Sequence, residues 1–175
     1  MDLKKYIRSV QDYPKKGILF RDITTLIKNE DAFKETIDQM SKILKTLDFD
    51  KLAAIESRGF LFASALSYNL SKSLILMRKK NKLPAEKHSV EFELEYGKSV
   101  LELHKDSINS NDKIVIIDDL LATGGTAEAG ARLVKKSGGE IVAFVFVINL
   151  FDLGGKKLLD SNGYKNFSLI DFPGH

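Results

Sequence analysis

Apolar residues recur at three- and four-residue steps in several stretches of the chain, which is the spacing of one face of an α-helix. This spacing predicts a short amphipathic helix over residues 3–10 and a longer helix over 33–47, with Asn29 or Asp31 suited to cap the longer one. A proline and a glycine between these helices predict a loop over residues 12–25. Further helices are predicted over residues 60–70, 126–137 and 156–161.

Short runs of apolar and β-branched residues alternate with these helices and predict buried strands. The predicted strands cover residues 51–56, 73–78, 99–104, 113–117, 140–149 and 167–170. Because continuous apolar strands that alternate with helices form parallel sheets covered on both faces, the predicted fold class is α/β, with a central mostly parallel sheet flanked by helices. Residues 79–98 are polar and lack a clear period, which predicts a loop.

The composition fits a single domain over residues 1–175, since one domain usually holds ~100–200 residues. The chain has no cysteine, which excludes disulfides, thiolate catalysis and cysteine-based zinc sites. No apolar run reaches the about 18 residues of a membrane helix. The charged N-terminus is followed by no apolar segment, so we expect a cytoplasmic protein without a signal peptide or a membrane span.

The charge balance is mildly basic, with 27 basic and 24 acidic residues and a net charge of +3. This value is too small to indicate a nucleic-acid-binding protein, which would carry a clustered basic face. It is compatible with a small anionic ligand. The three histidines are scattered and lack the spacing of metal ligands.

Three polar motifs directly follow predicted strands. They begin at Glu56, Arg78 and Asp118. Because the carboxyl ends of parallel strands meet at one edge of a sheet, where ligands bind, we expect these motifs to form a single site.

The third motif, residues 118–126, combines features that suit a phosphorylated sugar. Gly124 and Gly125 permit a positive φ and a close approach of the backbone, so that loop amides, helix N-terminus and neighbouring threonine hydroxyls suit a phosphate. Asp118 and Asp119 do not suit a phosphate, but they suit sugar hydroxyls or Mg²⁺ bound through water. The motif therefore predicts a site for a phosphorylated pentose.

Each candidate also has a plainer structural interpretation. The two glycines alone would favour an ordinary tight turn, although the preceding acids favour the ligand site. Arg58 by itself is more typical of a surface ion pair, and Glu95 of an exposed strand residue. The basic run at residues 78–82 is also compatible with a solvated loop or a short nucleic-acid patch, and Phe20 with a core position.

Five segments resemble, in the same order, motifs of the type I phosphoribosyltransferases. Residues 118–126 resemble that family's motif for 5-phosphoribosyl 1-pyrophosphate, and residues 20–22 and 94–97 resemble the branch of the family that uses adenine. Asn81 stands where the family usually has glycine, but asparagine tolerates left-handed backbone, so we expect the loop to keep its role. The complete set of matching segments is 17–23, 56–60, 78–84, 94–97 and 118–126.

The resemblance implies a type I phosphoribosyltransferase-like fold, with an N-terminal hood over residues 1–30 and a mobile catalytic loop over 79–99. It implies transfer of the 5-phosphoribosyl group from its pyrophosphate donor to adenine, giving AMP and pyrophosphate in purine salvage. Mg²⁺ would be held mainly by the donor, with Asp118 and Asp119 acting through water rather than as direct ligands. A homodimer is also implied, with the turn at Ser57 near its interface.

The resemblance further implies a role for each candidate residue. The 5′-phosphate would be held by Ala122, Thr123, Gly124, Gly125 and Thr126, and the ribose hydroxyls would face Asp118 and Asp119. The pyrophosphate would be bound by Ser57, Arg58, Arg78, Lys79 and Lys82, of which Arg58 also belongs to the catalytic group. Glu95 would be the general acid or base at N7 of the purine, with Tyr96 near the reacting centre. The base would be stacked and read by Leu19, Phe20 and Arg21.

Two other functions fit parts of the same pattern. The chain could use hypoxanthine, guanine or xanthine, although an enzyme for these bases needs a donor to the 6-oxo group, often lysine. A donor-sensing regulator on the same fold is the weaker alternative, because such a protein tends to carry an added DNA-binding module.

Overall fold

A mixed β-sheet forms the centre of the structure, a computed structural model that describes residues 1–94 and 97–175. The strands are β1 (Arg8–Gln11), β2 (Leu19–Asp22), β3 (Lys51–Ile55), β4 (Ser73–Lys79), β5 (Lys87–Leu94), β6 (Gly97–His104), β7 (Lys113–Leu121), β8 (Glu140–Leu150) and β9 (Asn166–Phe172). The helices are α1 (Thr24–Ile27), α2 (Glu30–Leu44), α3 (Arg58–Leu70), α4 (Gly125–Lys136) and α5 (Gly155–Ser161), preceded by a 3₁₀ turn at Leu3–Tyr6.

Within the described ranges the central sheet has seven strands in the order β5-β6-β4-β3-β7-β8-β9. From β4 to β9 the neighbouring strands run parallel, while β6 pairs antiparallel with both β4 and β5. The predicted mostly parallel sheet is therefore confirmed. The carboxyl ends of β3, β4, β7 and β8 meet at one edge, which is where this class of sheet binds ligands.

Buried side chains pack against both faces of the sheet. On one face, Met40 of α2 and Phe62 of α3 lie in the same buried cluster as β7 residues. On the other face, Leu133 of α4 packs in the cluster that contains Phe144 of β8. Burial of each such side chain contributes roughly 1.5–3 kcal/mol, which explains the apolar face of each long helix. Asn29 is the cap of α2, since its Oδ1 accepts a hydrogen bond of 2.9 Å from the Ala32 amide.

The predicted helix over residues 3–10 is wrong beyond its first turn. The 3₁₀ turn ends at Tyr6, and the chain continues as β1, which pairs with β2 so that Val10 lies opposite Phe20. The predicted loop over residues 12–25 is therefore also wrong in part, since it contains β2. The pairing partner of β1 lies about ten residues away, and tertiary pairing overrides the local helical spacing.

The predicted loop over residues 79–98 is wrong in part, since residues 80–86 form no strand or helix but strands occupy most of the described residues that follow. They contain β5 and the start of β6, which form an antiparallel hairpin with Ser89 opposite Glu102. Most of β5 is exposed or half-buried, and Phe92 is its only buried side chain. The alternation of Val90, Phe92 and Leu94 with acidic residues was a strand signal, but it is short and follows a charged stretch without a period. The mobility of residues 79–99 stays a prediction. No helix in the described part of the chain has the length and apolar character needed to cross a membrane.

Candidate active site

A cleft of about 500 Å³ opens at the carboxyl ends of the parallel strands. The hairpin of β5 and β6 forms its opposite wall, through Phe92 and Leu94 among others. The structure thus brings together residues from five separate stretches of the sequence. The predicted site residues in its walls are Ser57, Arg58, Lys79, Asp118, Asp119, Ala122, Thr123, Gly124, Gly125 and Thr126.

The loop between β7 and α4 has the geometry of an anion site. Gly124 has a φ of +90° and precedes the first helical residue, Gly125. The first α-helical hydrogen bond there runs from the Glu128 amide to the Gly124 carbonyl at 2.9 Å. The amides of the preceding turn therefore have no partner within the helix, and they lie at the positive end of the α4 dipole. This arrangement suits a phosphate group.

Helix α5 supports this loop from behind. The Gly155 amide donates a hydrogen bond of 2.9 Å to the Ala122 carbonyl. A Cβ at Gly155 would overlap the Ala122 carbonyl oxygen and would lie 3.0 Å from the Gly124 nitrogen. The loop can therefore take this path only beside a glycine. Sequence analysis missed this residue, although the Gly154–Gly155 pair was a usable signal.

The two acids lie inside the last part of β7 rather than after the strand. Asp119 is buried, Asp118 is half-buried, and Asp118 Oδ1 accepts a hydrogen bond of 2.8 Å from the Asp119 amide. Burial and the neighbouring Asp119 raise the pKa of Asp118 well above its usual value. Burial also raises the pKa of Asp119, against the opposing effect of the Arg58 charge. Carboxylates perturbed in this way within a cleft are typical of functional sites.

Arg58 connects the acids to the N-terminal hairpin. Its Nε forms an ion pair with Asp119 Oδ2 at 2.8 Å, and that buried oxygen accepts no hydrogen bond from the described residues. The Arg58 guanidinium carbon lies 5.5 Å from the centre of the Phe20 ring, and Phe20 meets the Tyr13 ring edge-on. Phe20 is half-buried and lies beside the cleft, outside the two buried clusters of the core.

The Arg21 side chain makes contacts that hold parts of the fold together. It is 6% exposed, donates hydrogen bonds to Ser9 Oγ and to the Pro173 carbonyl, and lies over the Phe172 ring. These contacts tie β2 to the end of the chain. The main-chain contacts to a base predicted for Leu19 and Arg21 stay predictions.

The basic run after β4 lies partly in the cleft. Lys79 lines the cleft, whereas Arg78 turns to Glu56, with 3.3 Å between Arg78 Nε and Glu56 Oε2. Burial disfavours the charged form of Glu56, but the Lys79 amide and the Arg78 guanidinium outweigh it and lower the pKa of that carboxyl. Arg78 and Lys82 are outside the cleft walls, and Arg78 Nη1 lies 3.4 Å from the Lys82 carbonyl.

The predicted catalytic pair, Glu95 and Tyr96, lies outside the described residues. Leu94 before this pair and Ser99 after it both line the cleft. Their roles therefore stay predictions.

The carboxylates at the cleft fit a magnesium ion that takes some of its ligands from the protein and the others from water and substrate. Across residues 1–94 and 97–175, no three histidine, cysteine or acidic side chains are grouped so that they could hold a metal. Asp118 and Asp119 offer two adjacent carboxylates at the cleft, with a buried Asp119 oxygen that lacks a hydrogen bond. Mg²⁺ is commonly bound by one or two carboxylates, with water and substrate phosphates completing the octahedron.

The fold and this cleft together define a phosphoribosyltransferase. Residues 22–174 match the family described as the phosphoribosyl transferase domain. This span includes every motif of the cleft described above, and it confirms the class that the sequence resembled.

Comparison with individual proteins narrows the family further. The chain is 66% identical to adenine phosphoribosyltransferase of Pelagibacter ubique over 175 residues, the full length of both. The crystal structure of adenine phosphoribosyltransferase from Thermoanaerobacter pseudethanolicus superposes with a TM-score of 0.94 at 47% identity, covering 98% of each chain. The Saccharomyces cerevisiae enzyme, complexed with an imino-altritol bisphosphate and adenine, gives 0.88 at 31% identity over 96% of each chain. The chain belongs to the adenine phosphoribosyltransferase family.

Proposed function

We propose that this protein transfers the 5-phosphoribosyl group from 5-phosphoribosyl 1-pyrophosphate to adenine, releasing AMP and pyrophosphate as a step of purine salvage. The observation that carries the proposal is the convergence of an anion-binding loop, two adjacent acids and basic side chains on one cleft. Full-length identity of 66% to an adenine phosphoribosyltransferase supports the choice of base.

The donor, 5-phosphoribosyl 1-pyrophosphate, would lie along the cleft with its 5′-phosphate and its pyrophosphate bound by different groups of residues. The loop from Ala122 to Thr126 would hold the 5′-phosphate, and Asp118 and Asp119 would accept hydrogen bonds from the ribose hydroxyls. The pyrophosphate would be bound by Ser57, Arg58, Arg78, Lys79 and Lys82. Because the leaving pyrophosphate gains charge while the sugar carbon becomes cation-like, fixed charges of both signs stabilise the transition state.

The base would enter between the hood and the sugar. Phe20 would stack on the purine, and the main chain of Leu19 and Arg21 would read its amine and ring nitrogen. A bond forms from purine N9 to the sugar carbon as the bond to the pyrophosphate oxygen breaks and the electron pair leaves with it. Glu95 would be the general acid or base at N7, with Tyr96 near the reacting carbon.

Magnesium is the cofactor that this site would take. Asp118 and Asp119 would hold it through water while the donor supplies the remaining oxygens. When bound, the ion neutralises charge on the pyrophosphate and makes it a better leaving group.

A homodimer is the assembly that the surface of α3 favours. Leu61 and Tyr68 lie seven residues apart on α3 and are 47% and 91% exposed, and Leu76 of β4 is 40% exposed. Exposed apolar groups of this size favour a protein interface. Helix α3 begins directly after Ser57, so an interface there would lie next to the pyrophosphate-binding turn. We place the reaction in the cytoplasm, because its phosphorylated substrates are charged and do not cross membranes freely.

A panel of purines tests the proposed function. With 5-phosphoribosyl 1-pyrophosphate and Mg²⁺, we expect kcat/KM for adenine to exceed that for hypoxanthine, guanine and xanthine by at least about 10²-fold, because the wrong base leaves buried polar groups unpaired. Steady-state rates of nucleotide formation give the comparison. Faster turnover of hypoxanthine would overturn the choice of adenine, and turnover of none would overturn the activity.

The Gly155→Ala variant tests the support of the phosphate loop. The added methyl must displace the Ala122 carbonyl, so we expect KM for the donor to rise about tenfold with little change in KM for adenine. Gly154→Asn is the matched control, since Gly154 has a φ of +84° and no atoms within 4 Å of an added Cβ. An unchanged donor KM in the Gly155 variant would show that the loop does not depend on α5.

A further inference from the structure

The basic turn at residues 79–82 is attached to the sheet by two acidic side chains. Lys79, Lys80 and Lys82 are exposed, and Arg78 precedes them at the end of β4. Four cations in five residues repel one another, so this segment needs compensating contacts to hold one path.

The first attachment is Glu56, at the end of β3. Its Oε2 accepts a hydrogen bond of 2.7 Å from the Lys79 amide and lies 3.3 Å from Arg78 Nε. One carboxylate oxygen thus fixes the main chain where the turn begins, and it also holds the Arg78 side chain. The Arg78 guanidinium in turn reaches the Lys82 carbonyl at 3.4 Å, at the other end of the turn.

The second attachment is Glu102, in the middle of β6. It is only 3% exposed, and its Oε2 accepts a hydrogen bond of 2.9 Å from the Asn81 amide. Its other oxygen lies 3.4 Å from Ser89 Oγ on β5, and Lys87 Nζ lies 3.5 Å from Oε2. Because Glu102 also stands opposite Arg78 in the antiparallel pairing of β4 and β6, it connects the turn to the hairpin.

Asn81 has an uncommon backbone conformation, and the contact with the Glu102 side chain stabilises it. Its φ is +65°, a left-handed conformation that asparagine adopts more readily than most residues. The turn at this position bends the Asn81 amide inward to Glu102, while the lysines on either side stay exposed.

We propose that Glu56 and Glu102 form an acidic clamp, a pair of positioning residues that hold the basic turn so that Lys79 faces the cleft in which the donor pyrophosphate would lie. This proposal rests on the proposed function. Glu102 is too deeply buried to touch the donor, so it acts only through the Asn81 amide and the turn. The two carboxylates hold the main chain of the turn and the Arg78 side chain in place, and the Lys79 side chain stays exposed at the cleft.

Kinetics of Glu102 variants test the clamp. In Glu102→Ala, we expect KM for the donor to rise about tenfold and KM for adenine to change by less than about twofold. In Glu102→Gln the amide oxygen can still accept from Asn81, so the rise in donor KM should be smaller, about threefold. Glu140→Gln, at the far amino end of β8, is the matched control and should match the unmodified protein.

Calorimetry of pyrophosphate with Mg²⁺ separates the clamp from the activity, because it requires no turnover. The clamp predicts weaker pyrophosphate binding in Glu102→Ala by a similar factor. A lower melting temperature with unchanged donor KM and unchanged pyrophosphate affinity would overturn it, as would equal losses for donor and adenine. If Glu102→Ala does not fold, Glu102→Gln decides by the same criteria. Absence of any transferase activity in the unmodified protein would instead overturn the proposed function.

Discussion

Replacing Asp119 by alanine should lower kcat/KM by about 10²–10³-fold, a loss of roughly 3–4 kcal/mol of transition-state stabilisation. Asp119 is buried, and its Oδ2 has the Arg58 guanidinium 2.8 Å away but no hydrogen bond. Asp119 also lines the cleft, so its carboxylate is placed to accept a hydrogen bond from a ribose hydroxyl or from water on Mg²⁺. As the sugar carbon becomes cation-like, a fixed negative charge nearby becomes more favourable, so the loss should appear in kcat as well as in donor affinity.

The controls for this variant separate chemistry from folding. Asp38→Ala removes an acid of α2 that pairs with Lys34 and does not line the cleft, and it should leave kcat/KM unchanged. Circular dichroism should show an intact fold for Asp119→Ala, because Arg58 is 43% exposed and can be hydrated when its partner is lost. Rates within about threefold of the unmodified protein would remove Asp119 from the mechanism.

Replacing Glu95 by glutamine should lower kcat by about 10²-fold or more, with smaller changes in both KM values. Purine N9 has a lone pair to offer when the ring proton is on N7, and that proton must leave as the product forms. A carboxylate at N7 can take it, whereas a glutamine amide can only form a hydrogen bond. The effect should therefore fall on the chemical step.

The pH dependence gives this variant a second measurement. In the unmodified protein, single-turnover rates should fall on the acidic side, and Glu95→Gln should remove the part of this limb that does not come from Asp118 and Asp119, whose pKa values burial raises. Glu93→Gln, two residues earlier on β5, provides the matched control and should keep the limb. A kcat near the normal value in Glu95→Gln would exclude proton transfer by this residue.

Local sequence determined much of this protein. The long helices and central strands follow from apolar spacing, because their buried faces require it, as in α2 and β8. The loop between β7 and α4 was also readable as a candidate anion site, since residues 118–126 are contiguous and each residue type suits one physical task. The resemblance to a transferase family rested on such contiguous motifs, and the family match confirmed it.

The tertiary structure alone decided how the two hairpins pair and which residues hold the cleft loops in place. Strand β5 carries only a short apolar alternation within a charged segment, and β1 is a strand because it pairs with β2. The contacts that hold the cleft loops in place also join residues that are far apart in the sequence. Gly155 fits against Ala122 across 33 positions of chain, and Glu102 binds the Asn81 amide across 21. Spacing along a sequence reports which side chains share a face, but it cannot report which distant backbone group each will meet.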